Sequence, residues 1–303
     1  MRFSTLALVA SSVLGQELSK PAAWPNLDVF RPMLNLIPRQ ALHEIVALPA
    51  GQITKGCRDR VLLDGRDPTK FSAYMIIYGD CAVPWVVCRE EGAEGNLDQL
   101  AQTFARLPVG MRQWVGDVVH FKGGSGGSAW QSSILHVSGN SAYSVPVLIH
   151  EASHCVDGGN GLNMKSDSTT WRNAYNRDSH VADNYARTNH VENFAQYAGL
   201  VIYDRWTQGD LQTKVPQINQ IRNQVTTMSA AADVADNMFE FLNKKSCTRR
   251  WGLTTLVNAG SGAVIAKRSA PFVVPRDTGI EIIAVPEALV EAPVTNCTIG
   301  ESV

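Results

Sequence analysis

Hydrophobic and polar positions divide the chain into an alternating stretch and a helical one. "FSAYMIIYG" (71–79) and "PWVVCRE" (84–90) are dense in aromatic and β-branched residues, which predicts strands. "VGDVVHF" (115–121) and "SSILHVSG" (132–139) predict two more. In the middle of this region Leu97, Leu100, Ala101 and Phe104 recur at helical spacing, so a helix is expected over 96–107 with Asn96 as its N-cap. "KGGSGGS" (122–128) lacks the Lys-Ser/Thr ending of a phosphate loop and reads as a flexible surface loop. The strand bordering a cleft is expected at 130–137.

From 144 to about 245 the period becomes helical. Ser144 can cap a helix, Pro146 suits its first turn, and Gly158-Gly159 suit its end. A second helix is expected over 169–176. A third, over 189–206, carries Val191, Ala195, Ala198 and Ile202 on one face. Segments 218–228 and 234–243 add one long helix or two. Residues 16–56 contain Pro21, Pro25, Pro32 and Pro38 and read as a lead-in with a short helix at most, either a propeptide or an N-terminal wrap. Residues 251–303 read as an irregular β-rich tail, leaving 57–250 as the main domain.

Composition narrows the class. Of 303 residues, 45% are hydrophobic and 18% charged, which is the balance of a folded chain rather than a disordered one. A net charge of −1 without Lys/Arg runs argues against a nucleic-acid or anionic-membrane partner. "MRFSTLALVASSVLG" has one basic residue and then an apolar run, the pattern of a signal peptide over 1–15, and no later run is long enough to span a bilayer. A secreted, extracellular protein is expected, either free or associated with a cell wall. Its six cysteines, Cys57, Cys81, Cys88, Cys155, Cys247 and Cys297, suggest up to three disulfides. Pro84 in "CAVPWVVC" favours a local Cys81–Cys88 pair, and "NCT" at Asn296 is a glycan acceptor.

The chemistry concentrates in "VPVLIHEASHCVDGGNG" (145–161). On a helix, His150 and His154 lie one turn apart on the same face and can reach one ion. Glu151 projects beside them, placed to take a proton from a metal-bound water. Surface histidines on an amphipathic helix would give the same pattern, so a third ligand decides. Glu192 stands in the first turn of the 189–206 helix, and Tyr185 precedes it by seven residues, able to lend a phenolic proton to an oxyanion. Glu192 could instead simply close a capping box with Asn189. His180 and His190 could touch a substrate or simply be solvated loop histidines, the commoner case, while His43, His120 and His136 read as structural.

"HEASHCVD" followed by "YARTNHVENFA" resembles the catalytic domain of anthrax lethal factor and its relatives, over residues 144–203. "GDCAVPWVVCRE", "LPVGMRQWVGDVV" and "VENFAQ" resemble secreted fungal proteins related to the conidiation-specific metallopeptidase-like family. The resemblance implies an α+β, zincin-like metallopeptidase fold, with a small mixed sheet packed on an active-site helix and a helical C-terminal half. It implies one Zn2+ per chain held by His150, His154 and Glu192, with Glu151 as general base and Tyr185 as transition-state donor. Asp157 would hold the second histidine or cap the helix end. Gln196 stands where the lethal-factor pattern has glutamate, and Asn193 where the fungal relatives have aspartate. The expected function is a secreted zinc metalloendopeptidase, a monomer acting on protein or peptide. The alternative is a secreted zinc-binding protein with little catalysis, serving metal scavenging or a cell surface.

Overall fold

Strands form where the alternation is strongest, and the structure shows why both faces of those strands are apolar. The computed structural model describes residues 18–39, 43–131, 133–211, 216–241, 246–248, 250, 254–266, 272–276 and 279–283. The signal-peptide reading of 1–15, Asn296 and Cys297 lie outside them. The lead-in carries β1 (Ala22–Trp24), the short helix α1 (Arg31–Leu34), β2 (His43–Ala47) and β3 (Gln52–Thr54). Then come α2 (Lys55–Leu63), β4 (Phe71–Tyr78), β5 (Cys81–Glu90), α3 (Leu97–Phe104) and α4 (Val109–Arg112). β6 (Asp117–Phe121), β7 (Gly127–Trp130) and β8 (Ile134–Ser138) complete the strand-rich region. The helical region holds α5 (Val145–Gly158), α6 (Thr169–Arg177), the short strand β9 (Val181–Asp183), α7 (His190–Trp206) and α8 (Ile218–Val234). β10 (Leu256–Asn258), β11 (Val264–Ala266), β12 (Phe272–Arg276) and β13 (Gly279–Ile283) follow.

The fold is α+β. Its main sheet has the order β2-β4-β5-β6-β8-β7. It is mixed: β5–β6 and β6–β8 are parallel, while β2–β4, β4–β5 and β7–β8 are antiparallel. Along β4, Phe71, Ala73, Met75 and Ile77 join one buried cluster, and Ile76 and Tyr78 join the other. The sheet is therefore covered on both sides. The larger cluster lies under α3, α5 and α7, and the smaller under α2, β3 and β10. Each such side chain contributes about 1.5–3 kcal/mol on burial.

Three expectations change here. The lead-in is richer in strand than its prolines suggest: β2 is the edge of the main sheet, β3 pairs with β10, and β1 runs parallel to β9. Short strands of this kind are held by their partners rather than by their own pattern, so periodicity did not reveal them. The glycine-rich stretch is only half a loop, because Gly127 begins β7. This strand is the sheet's edge, whereas β8, at the expected cleft-border position, lies inside the sheet. Finally, α8 ends at Val234 and the chain turns, with Asp236 and Asn237 at φ of 57° and 49°, so 234–243 does not continue the helix.

The cysteines also pair differently. Cys57 on α2 bonds Cys88 on β5, and Cys81 bonds Cys247. The local Cys81–Cys88 pair is excluded. These two residues sit an odd number of positions apart on one extended strand, so their side chains face opposite sides of the sheet. Cys155 is a buried free thiol inside α5, so oxidation of all six cysteines is not the pattern observed. Among the described residues no helix is long and apolar enough to cross a membrane. Paired cysteines fit an oxidising compartment.

Candidate metal centre

The helix α5 forms at the predicted place, but its start is secured from elsewhere. Ser144 makes no side-chain cap. Instead the Val145 N–H donates to Asn35 Oδ1 at 3.2 Å, so a residue of the lead-in satisfies one open donor of this helix. Pro146 sits in the first turn as expected. At the other end Gly159 has φ −78°, not a left-handed conformation. A Cβ there would meet the Trp114 ring at 2.4 Å, and close packing explains the glycine.

The third element, α7, is capped by Asn189, whose Oδ1 accepts from the N–H groups of Val191 and Glu192 at 2.8 and 2.9 Å. The Glu192 side chain points at the histidines. Glu192 Oε2 lies 3.0 Å from His150 Nε2 and 3.3 Å from His154 Nε2, and the two Nε2 atoms are 3.1 Å apart. Three Lewis donors thus face one point. A tetrahedral zinc with bonds of about 2.0–2.1 Å needs ligand atoms roughly 3.3 Å apart, so the set fits such an ion closely. All three residues are mostly buried, with His154 and Glu192 side chains 3% and 6% exposed.

Electrostatics follow from that crowding. Burial lowers the His150 pKa, but its hydrogen bond to Glu192 and the charges of Glu151 and Glu192 outweigh it and raise the value to about 9. Burial pushes Glu192 up, yet its hydrogen bonds to the two histidines hold it well below the usual carboxylate range. Burial raises Glu151, the charges of His150 and then His154 oppose it, and Glu192 adds the smallest push upward. A buried carboxyl with a raised pKa is a better base at neutral pH than a solvated one.

Glu151 lies beside the donor set. Metal-capable atoms of His150, Glu151 and His154 all fall within 4.8 Å of one another. Its carboxylate rests against Gly127 of the edge strand β7, where any side chain would collide with it. Tyr185 occupies a short turn over Tyr185–Arg187, 37% exposed, with its ring 5.5 Å from the His150 ring. His150, Glu151 and Tyr185 line an open cleft of about 350 Å³, within the range of small-ligand and peptide sites. Gly126 and Gly127 form one wall, and Leu27 and Arg31 of the lead-in form another. No sequence signal marked these lead-in residues as part of the site, because they are brought there by the β1–β9 pairing.

Other expected positions stand apart. Asp157 Oδ1 accepts from the Ser166 N–H at 2.7 Å and so anchors the segment after α5, while His154 Nδ1 is buried with no hydrogen-bond partner. Asn193 accepts from Gln224 Nε2 and belongs to the α7–α8 packing. Neither His180 nor His190 lines the cleft: His180 Nδ1 contacts Ser179 Oγ, and His190 packs on Tyr175. His120 Nε2 lies 3.0 Å from the Gly139 carbonyl, and His136 is engaged with Ser128 and Arg60, so both are structural.

A profile of the family described as conidiation-specific protein Con-13 matches residues 25–285. Conidiation-specific protein 13 of Neurospora crassa is 28% identical over 227 residues, covering 73% of this chain and 65% of that protein. The chain thus spans about 65% of the length of that curated relative. No solved structure matches. With the matched segment running from the lead-in through α5 and α7 to the end of the described strands, the chain belongs to the Con-13 family of conidiation-specific proteins.

Proposed function

We propose that the protein is a secreted zinc metallopeptidase of zincin type. The observation that carries the reading is the convergence of His150 Nε2, His154 Nε2 and Glu192 Oε2 within 3.0–3.3 Å, next to an open cleft that His150 lines. His150, His154 and Glu192 would hold the ion. When bound, zinc supplies Lewis acidity and lowers the pKa of a coordinated water to about 7. The chain's own groups supply the rest. Glu151 is buried, set beside the donors and held close to β7, so it can take a proton and return it to a leaving amine. Tyr185 lines the same cleft, with its ring beside that of His150, and its hydroxyl can donate to a developing oxyanion.

Two variants test the chemistry. Glu151→Gln keeps shape and metal but removes the base, and a loss of roughly a hundred- to ten-thousand-fold in kcat is expected. Tyr185→Phe should cost on the order of a hundred- to a thousand-fold, also with zinc retained. Equal peptide cleavage by wild type and Glu151→Gln would refute the mechanism. Full zinc content without any hydrolysis in the wild type would favour a metal-binding role instead.

A further inference from the structure

Gln196 lies one turn after Glu192, and its amide connects two groups. Its Oε1 is 3.2 Å from His150 Nδ1, and its Nε2 donates to Asp183 Oδ2 at 2.9 Å. Asp183 is 1% exposed. Its other oxygen, Oδ1, accepts from the Ala186 N–H at 2.8 Å, inside the turn that carries Tyr185. The backbone of Asp183 is fixed in turn by the parallel pairing of β9 with β1, where Trp24 is its partner.

We infer that Asp183 is a positioning residue that sets the metal-facing end of His150 and the turn bearing Tyr185 together. The logic follows the donors and acceptors. An ionised carboxylate only accepts, so Gln196 must present its NH2 to Asp183 and its carbonyl oxygen to His150. That oxygen in turn only accepts, so the His150 proton sits on Nδ1. In the neutral, ligand form of His150, Nε2, the atom facing His154 and Glu192, is then left with its lone pair. The outer partner of a ligand histidine fixes its tautomer and orientation, and an amide can do so only if something else fixes the amide. Asp183 does this for Gln196. Its second oxygen simultaneously ties down the start of the Tyr185 turn, so one side chain holds His150 and that turn in register. His154 has no such arrangement, since its Nδ1 lacks a hydrogen-bond partner.

The affinity arm of the test rests on the zinc reading, and a second arm does not. Zinc affinity is measured by chelator competition for Asp183→Asn, Gln196→Leu and the double variant Asp183→Asn/Gln196→Glu, with folding checked by circular dichroism. Each single variant should bind zinc about 10–100-fold more weakly. The double variant exchanges the two groups: an amide at position 183 can donate to a carboxylate at position 196, and that carboxylate can still accept from His150. Most of the loss should therefore be recovered. Unchanged affinity in Gln196→Leu, or an equal loss in the double variant, would overturn the inference. If Asp183→Asn does not fold, Gln196→Leu still decides, because it removes the bridge and leaves the Tyr185 turn. In parallel, NMR of isotope-labelled histidine should show a slowly exchanging His150 Nδ1 proton in the metal-free wild type that is lost in Gln196→Leu. Should the wild type bind no zinc, the zinc reading fails while that proton upholds the positioning claim. A freely exchanging proton in the wild type overturns it.

Discussion

Gly127 approaches Glu151 so closely that a Cβ at position 127 would lie 2.8 Å from Glu151 Cγ and 2.8 Å from the His136 carbonyl oxygen. The His136 carbonyl is β8 backbone, so relief there needs a small shift of the edge strand β7, while the Glu151 side chain can turn aside. Gly127→Ala is therefore expected to displace the Glu151 carboxylate while leaving His150, His154 and Glu192 in place. A misplacement of about 1 Å costs on the order of a hundred-fold in rate. The check is kcat on a cleaved peptide beside zinc content. Wild-type kcat in Gly127→Ala would show that Glu151 tolerates the shift and is not held by this contact.

The donor set predicts about one zinc per chain in the purified protein, measured by elemental analysis. His150→Ala, His154→Ala and Glu192→Ala should each empty the site, because the remaining pair leaves it open on one side. Full occupancy in Glu192→Ala would remove that residue from the set, whatever its distance from the histidines.

Cysteine chemistry gives a prediction independent of function. Labelling of denatured, unreduced protein, followed by peptide mapping, should modify Cys155 and leave Cys57, Cys81, Cys88 and Cys247 blocked. In the native protein Cys155 should resist, since burial pushes its thiol well above the usual value. Modification of Cys57 in the unreduced protein would contradict its bond to Cys88.

His136 gives a pH dependence of known sign. Burial, and then the charge of Arg60, pushes its pKa down to about 3. In the unfolded chain an ordinary histidine titrates near 6.5. Below that pH the unfolded chain therefore binds a proton that the folded protein refuses. This contribution to stability is complete above about 6.5 and is lost as the pH falls toward 3. His136→Gln should lose less stability than wild type between neutral pH and about pH 4, by urea unfolding. Parallel curves for the two proteins would show that His136 titrates normally in the fold.

The convergence of His150, His154 and Glu192 was legible in the sequence because these residues obey short-range rules. His150 and His154 are one helical turn apart, and Asn189 announces the helix that begins beside Glu192. The central strands were legible for the same reason, with Phe71 and Met75 facing one side and Ile76 and Tyr78 the other. What failed was everything set by a distant partner. Asn35 reaches Val145 across 110 residues, Trp24 pairs with Asp183, and Cys81 finds Cys247. The support of the site belongs to this second kind. Asp183, Gly127 and the lead-in residues Leu27 and Arg31 have no motif of their own, and each matters only through what the fold brings beside it.

The Cys81–Cys247 bond closes a loop with a sequence separation of 166, and that loop contains α5, β9 and α7. On the proposed peptidase function, the protein is exposed to being cut by its own copies. A single cut in a surface turn between these cysteines would leave two pieces that remain covalently joined. On a gel without reductant such a nicked molecule would migrate as one species, and only reduction would reveal two. The purity of a preparation judged without reductant would therefore say nothing about whether its chains are intact.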